Sequence, residues 1–265
     1  MDELRGKVTL VTGGSSGIGR ATALAFARAG AHVVLTARGT DRGNQVLREI
    51  RALGGVATFV SADVSRSDQV QALIETTVAE YGRLDCAFNN AASLEEPFTM
   101  TADFSEEQFD RSIALNLKSV WLCMKHEIRQ MLAQTPPGGA IVNTSSVNGL
   151  GGVPQASFYA AAKAGVLALT KSAALEYARR GIRINALVAG GFRTPMLESA
   201  FDRLSGGNAE ARQAIVSKYD EMVALGRIGR PEEAAEAAIW LCSGAASYVT
   251  GHSMIVDGGM TSAVR

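Results

Sequence analysis

The sequence predicts an α/β fold in which a parallel sheet is covered by helices on both faces. Three observations carry that reading. Short runs rich in β-branched residues alternate with amphipathic stretches along the 265 residues. Successive runs lie roughly 25–45 residues apart, too far for hairpins and far enough for right-handed βαβ crossovers. The runs are also nearly continuously apolar, as strands buried on both faces must be.

In chain order, strands are predicted at Val8–Thr12, His32–Ala37, Val56–Ser61, 84–89, 140–144 and 182–188. Helices are predicted between them at 17–29, 40–53, 67–80, 105–133 and 157–180. Pro136-Pro137-Gly138-Gly139 stops the long fourth helix, because proline cannot continue a helix and glycine permits the turn. No linker or low-complexity tract divides the chain, so one domain over 1–265 is expected. The segment at about 190–226 carries Met196, Leu197, Phe201 and Tyr219 without a strand pattern. A stretch of that length in a compact domain is a functional lid or an added helical pair.

Composition excludes several classes. Lys+Arg and Asp+Glu both number 26 and 47% of residues are hydrophobic, which argues against a disordered chain and against a nucleic-acid binder. Cys86, Cys123 and Cys242 are scattered, as are His32, His126 and His252, so no disulfide framework and no metal site is implied. No apolar run approaches the ~18 residues that span a bilayer, and the acidic start MDELRGKVTLVTGG does not have the build of a signal peptide. A protein of the cytoplasm, without membrane partners, is expected.

The first strand runs directly into Gly13-Gly14-Ser15-Ser16-Gly17-Ile18-Gly19 and then a helix. Exposed backbone N–H groups and the helix dipole both favour a phosphate at such a turn, and the missing side chains let it approach. A P-loop would place Lys-Ser/Thr where Arg20-Ala21 stands, and the spacing also departs from the GxGxxG fingerprint. The turn by itself reads as a site for a phosphate-bearing cofactor. Farther along, Tyr159 and Lys163 lie one turn apart on the same helix face. A neighbouring ammonium favours the phenolate, and lowering a tyrosine by roughly three pH units takes about 4 kcal/mol, of which one lysine can supply part. Ser145-Ser146 ends the preceding strand, at the sheet edge where open α/β folds bind ligands.

Taken together these residues resemble the short-chain dehydrogenase/reductase family over essentially the whole chain. The resemblance rests on TGGSSGIG at 12–19, Asp63-Val64, Asn89-Asn90-Ala91, Asn116, Ser146, Tyr159-x-x-x-Lys163, Asn185, Thr194 and VTGHSMIVDGG at 249–259, in that order. It implies a single Rossmann domain with a doubly wound, parallel, seven-stranded sheet. It also implies a hydride transfer in which Tyr159 handles the proton, Ser146 holds the reacting oxygen and Asn116 supports a water relay. Lys163 would lower the tyrosine pKa and hold the nicotinamide ribose. The turn residues Gly13, Ser15, Ser16, Gly17, Ile18 and Gly19 would bind the cofactor. So would Asp63 and Val64 at the adenine, Asn90 at a ribose, and Phe192 (by its backbone) and Thr194 near the carboxamide and pyrophosphate. Ala92 and Ala189 stand where the family pattern has glycine and proline. The resemblance further implies a homotetramer.

At the end of the second strand Ala37 stands where an NAD enzyme would offer a carboxylate, and Arg38 follows. A guanidinium suits a 2′-phosphate, with Arg42 assisting, so NADP(H) is the expected cofactor and NAD(H) the alternative. The substrate wall is expected from 93–98, 147–158 and the segment after Gly190, with Leu150, Gln155, Phe158, Phe192, Met196, Leu197 and Phe201 as candidates. This mostly apolar set suits a medium-sized ketone, secondary alcohol or hydroxylated ring. The rival from another class is a dinucleotide-binding sensor or scaffold without turnover.

Overall fold

The computed structural model describes residues 4–94 and 98–262. Seven parallel strands form one sheet in the order β3-β2-β1-β4-β5-β6-β7. They are β1 (Val8–Thr12), β2 (His32–Ala37), β3 (Val56–Ser61), β4 (Cys86–Asn89), β5 (Gly139–Ser146), β6 (Ile182–Ala189) and β7 (Ser253–Val256). Side chains alternate across the pleat, so each strand feeds two apolar layers. Val11, Val33, Leu35, Phe88 and Val142 face one layer, with Phe26, Val46, Ile50 and Leu241. Leu10, Val34, Ala87, Ile141 and Ile184 face the other, with Leu73, Val120, Met124 and Val166. This two-sided burial is why the strands read as unbroken apolar runs.

The first layer is covered by α1 (Gly17–Arg28), α2 (Thr40–Ala52) and α9 (Pro231–Cys242), and the second by α3 (Ser67–Tyr81), α5 (Ser119–Ala133) and α6 (Ser157–Tyr177). Among these, α9 has no counterpart in the sequence reading. It packs against α1 through Ala234, Ala235, Ala238 and Leu241, and its small apolar residues blur the amphipathic period. Proline in its first turn and Glu232 and Glu233 beside it are the start signals that could have revealed it.

The stretch predicted as one helix over 105–133 is three pieces. A first helix, α4 (Glu106–Ile113), opens on a capping box between Ser105 and Gln108. A π-turn at Ala114–Lys118 follows, and α5 continues from it. The apolar period survives the wide turn, so the sequence could not show it. The 190–226 segment is the helical pair α7 (Pro195–Ser205) and α8 (Ala209–Met222). The two are locked together by Phe201, Val216 and Ile228 and by an Arg212 bridge to Glu198 and Asp202.

Because β1 leads to β2 on one side and pairs with β4 on the other, the strand order reverses between β1 and β4. The carboxyl ends of these strands therefore flank a crevice at a topological switch point. One polar seam crosses the second layer beneath it. Asn89 Nδ2 donates to Glu127 Oε2 at 2.9 Å and to Asn143 Oδ1 at 3.0 Å, and Asn143 Nδ2 donates to Thr170 Oγ1 at 3.0 Å.

Candidate active site

A cleft of about 420 Å³ occupies that carboxyl edge. At one end stands the N-terminus of α1. Ser16 precedes the helix without capping it by its side chain, and the first turn carries no acidic residue. Unpaired N–H donors and the positive end of the helix dipole thus face the cleft. Gly13, Ser15, Ser16, Gly17 and Ile18 line it. Gly13 and Gly17 hold φ values of 64° and 52°, which L side chains rarely adopt. Gly19, expected among the cofactor-binding residues, does not line the cleft. It packs beneath the turn, where a Cβ would sit 2.2 Å from the Gly13 carbonyl and 2.6 Å from Asn90 Nδ2. The turn is tied to β4 because Thr12 Oγ1 accepts from Asn90 N at 3.0 Å and from Ala91 N at 3.1 Å. Asn90 Nδ2 reaches back toward the Thr12 and Gly13 carbonyls at 3.4 and 3.5 Å.

Farther along the same wall are Ala37, Arg38, Arg42, Asp63 and Val64. Asp63 Oδ1 accepts from Ser65 N at 2.9 Å and from its hydroxyl at 2.7 Å. Burial pushes the Asp63 carboxyl up, but these bonds and the charges of Arg38 and Arg66 outweigh it and hold the pKa below its ordinary value. No carboxylate stands at the end of β2, and Arg38 occupies the position after it. This wall, with its unpaired helix donors and glycine cradle, fits a dinucleotide.

At the other end the reacting groups converge. Tyr159 and Lys163 project from α6, and Ser146 from the end of β5, into the one cleft. Ser145 Oγ donates to the Lys163 carbonyl at 2.8 Å, whereas Ser146 Oγ accepts from Asn148 N at 3.2 Å and lies close enough to the Tyr159 hydroxyl to pull its pKa down. The tertiary structure therefore distinguishes the two serines. Lys163 is 1% exposed, and its Nζ donates to the Thr144 carbonyl at 2.9 Å, 5.6 Å from the centre of the Tyr159 ring.

Burial pushes Tyr159 up to about 12, with the neighbouring Ser146 hydroxyl opposing the rise and Tyr219 adding to it. Burial likewise pulls Lys163 down to about 8. Desolvation of both groups outweighs what the lysine over the ring offers the phenolate.

Asn116 sits within the π-turn, fully buried rather than at the cleft surface. Its Oδ1 accepts from Ser93 N at 2.9 Å and its Nδ2 donates to the Ser112 carbonyl at 3.1 Å. It anchors the loop after β4 to the helix, and π-turns often mark such sites. Phe192 and Thr194 line the cleft beyond β6. The Thr194 hydroxyl caps α7 by accepting from Leu197 N at 3.3 Å. Ala92 lines the cleft too, and Ala189 ends β6 opposite Val256.

The expected substrate wall is met only in part. Phe192, Met196 and Leu197 line the cleft. Phe201 does not: it is turned into the α7–α8 core, edge-on to Tyr219. Leu150 is exposed and outside the cleft. Gln155 and Phe158 border a separate small cavity with Phe98 and Phe104. Within 93–98, residues 95–97 lie outside the described residues. Leu94 and Asn148, within the expected wall segments, and Tyr219 of the expected lid also line the cleft. Leu115 lines it too and lay outside every expectation.

Comparison with known proteins agrees with this geometry. A family model described as enoyl-(acyl carrier protein) reductase matches residues 13–261. The chain is 41% identical over 261 residues to the 2,5-dichloro-2,5-cyclohexadiene-1,4-diol dehydrogenase of Sphingobium indicum, covering 98% of this chain and 99% of that one. It is also 41% identical over 261 residues to the cyclohexanol dehydrogenase of Acinetobacter sp., covering 98% and 97%. The crystal structure of levodione reductase superposes with a TM-score of 0.93 at 35% identity, covering 98% of this chain and all of that one. Full-length coverage at this identity shows that the chain belongs to the short-chain dehydrogenase/reductase family, oxidoreductases that use nicotinamide dinucleotides and act on alcohols and their carbonyl counterparts.

Proposed function

We propose that the chain is an NADP(H)-dependent oxidoreductase that interconverts a ring alcohol and its ketone. The observation that carries this is the convergence of Ser146, Tyr159 and Lys163 in a cleft whose far end is an uncapped helix N-terminus. The relatives named for cyclohexanol and a cyclohexadiene-diol support a ring substrate, as does the apolar wall of Leu94, Leu115, Val147, Phe192, Met196 and Leu197.

A bound oxidised nicotinamide would accept the hydride released from the carbinol carbon in oxidation, and its ring would add a positive charge to the site. The carbinol O–H proton passes to the Tyr159 oxygen as the C=O bond forms. Ser146 donates to the same oxygen and holds it against Tyr159. Lys163 would bind the ribose hydroxyls of the cofactor and, with Asn116 positioning the loop and helix around it, would return the proton to solvent through water. Gly13 to Ile18 would hold the pyrophosphate by backbone N–H groups, Asp63 and Val64 would border the adenine, and Asn90 and Thr194 would position the cofactor between them. The α7–α8 pair is the lid.

Arg38 and Arg42 take the 2′-phosphate. Turnover of cyclohexanol and cyclohexanediols, followed by absorbance with NADP⁺ and NAD⁺ side by side, tests both parts of the reading. NADP⁺ is expected to give the higher kcat/KM, and Arg38→Ala to lower that value about 10- to 100-fold while sparing NAD⁺. A preference for NAD⁺, unchanged in the variant, would refute the assignment. A second prediction concerns the turn. Gly19→Ala places a Cβ against backbone that cannot yield, so dinucleotide affinity by fluorescence titration is expected to fall about 10-fold, as overpacking displaces the phosphate donors. Unchanged affinity would mean that the turn does not bind the phosphates.

Three free, buried cysteines suit a reducing compartment such as the cytoplasm. Exposed Leu175 on α6 and Tyr248 and Ile255 around β7 offer apolar surface for assembly of a homotetramer.

A further inference from the structure

Tyr219 comes from α8, outside the Rossmann core, yet lines the cleft with Ser146, Asn148 and Tyr159. It sits where a side chain at position 191 would otherwise be. A Cβ on Gly191 would stand 2.3 Å from its ring and 2.5 Å from its hydroxyl oxygen. The ring is held from behind by the edge of Phe201, 5.4 Å between centroids. Position 191 lies just past the Ala189 end of β6 and lines the same cleft as the reacting groups. There the chain uses glycine and swings in a phenol from the helical pair instead. Burial alone raises the Tyr219 pKa, with no hydrogen bond and no charge contributing. Tyr219 lies close enough to the reacting tyrosine that ionisation of either phenol opposes ionisation of the other. The result is a half-buried, uncommitted hydroxyl on an otherwise apolar substrate wall. Such a group is costly to leave unpaired when substrate excludes water.

We infer that the Tyr219 hydroxyl is a specificity determinant that hydrogen-bonds a second oxygen of the substrate, so the preferred substrates are ring diols or hydroxyketones rather than simple ring alcohols. This rests on the ring-alcohol reading above and narrows it. A site built to bond a substrate hydroxyl discriminates strongly against analogues without it.

The test compares wild type with Tyr219→Phe on cyclohexane-1,4-diol and cyclohexane-1,2-diol, against cyclohexanol and 4-methylcyclohexanol. Thermal denaturation confirms that the variant is folded. The expected result is a loss of about 10-fold or more in kcat/KM for at least one diol, carried mainly by KM, with the two mono-alcohols within about two-fold. Gly191→Ala, which displaces the ring, is expected to reproduce the selective loss. Equal losses on all four substrates, or none, would overturn the role of Tyr219 while leaving the ring-alcohol reading intact. Absence of wild-type turnover on every ring alcohol would overturn both.

Discussion

Replacing Tyr159 by Phe is expected to lower kcat by about 10³-fold or more while NADP(H) still binds. The substitution removes one oxygen and keeps the ring, so α6 and the cleft keep their shape. The missing atom is the hydroxyl of a tyrosine that lines the cleft with Ser146 and Lys163. Its pKa, pushed up to about 12, makes Tyr159 a protonated group through the neutral range, ready to donate in ketone reduction. Acting as a base in alcohol oxidation requires the phenolate, which the buried, partly neutral Lys163 supports poorly without further positive charge beside it. Oxidation rates are therefore expected to rise with pH across the alkaline range in the wild type. The reverse reaction is expected to be flatter. Steady-state rates with fluorescence titration of the cofactor separate chemistry from binding. A variant retaining kcat within about ten-fold would remove Tyr159 from the reaction.

The second large effect is on stability and comes from Glu127. This carboxyl is fully buried on α5, and among the described residues its hydrogen-bond partner is the Asn89 amide at 2.9 Å. Burial raises its pKa from 4.5 to about 8, partly offset by that hydrogen bond. Between those two values the native state holds a proton that the unfolded chain has released. Stability contributed by the protonated carboxyl is thus present below about pH 4.5 and is lost progressively as pH rises toward 8. Glu127→Gln keeps the shape and the Asn89 acceptor but cannot ionise. It is expected to be more stable than wild type at pH 8.5, by on the order of 3 kcal/mol, with the difference shrinking toward pH 5. Urea denaturation at the two pH values measures this. A stability difference that does not change with pH would mean that Glu127 is ionised throughout in the folded protein.

The central strands were legible because they are buried on both faces and leave unbroken apolar runs, whereas the edge strand β7, with Ile255 exposed, was not among the predicted runs. Helix α9 was missed for a related reason: buried against α1 by small residues, it has little polar face to set a period. Tyr159 and Lys163 were readable as a pair because a helix places residues four apart on one face. Their proton affinities were not, since these depend on how much water the fold excludes and on the Thr144 carbonyl that receives the lysine. Phe201 and Tyr219 show the same boundary. Both lie in one apolar stretch of sequence, but the α7–α8 contact turns the first inward and directs the second into the cleft.

By itself the sequence carried the parallel α/β architecture and the glycine turn after the first strand, because each depends on short-range periodicity and backbone freedom; the choice of Ser146 with Tyr159 and Lys163 came through the family resemblance. Only the tertiary structure decided where the buried charges titrate and which side chains face the cleft. These depend on distances across the sheet edge and on exclusion of water, which no spacing along a chain encodes.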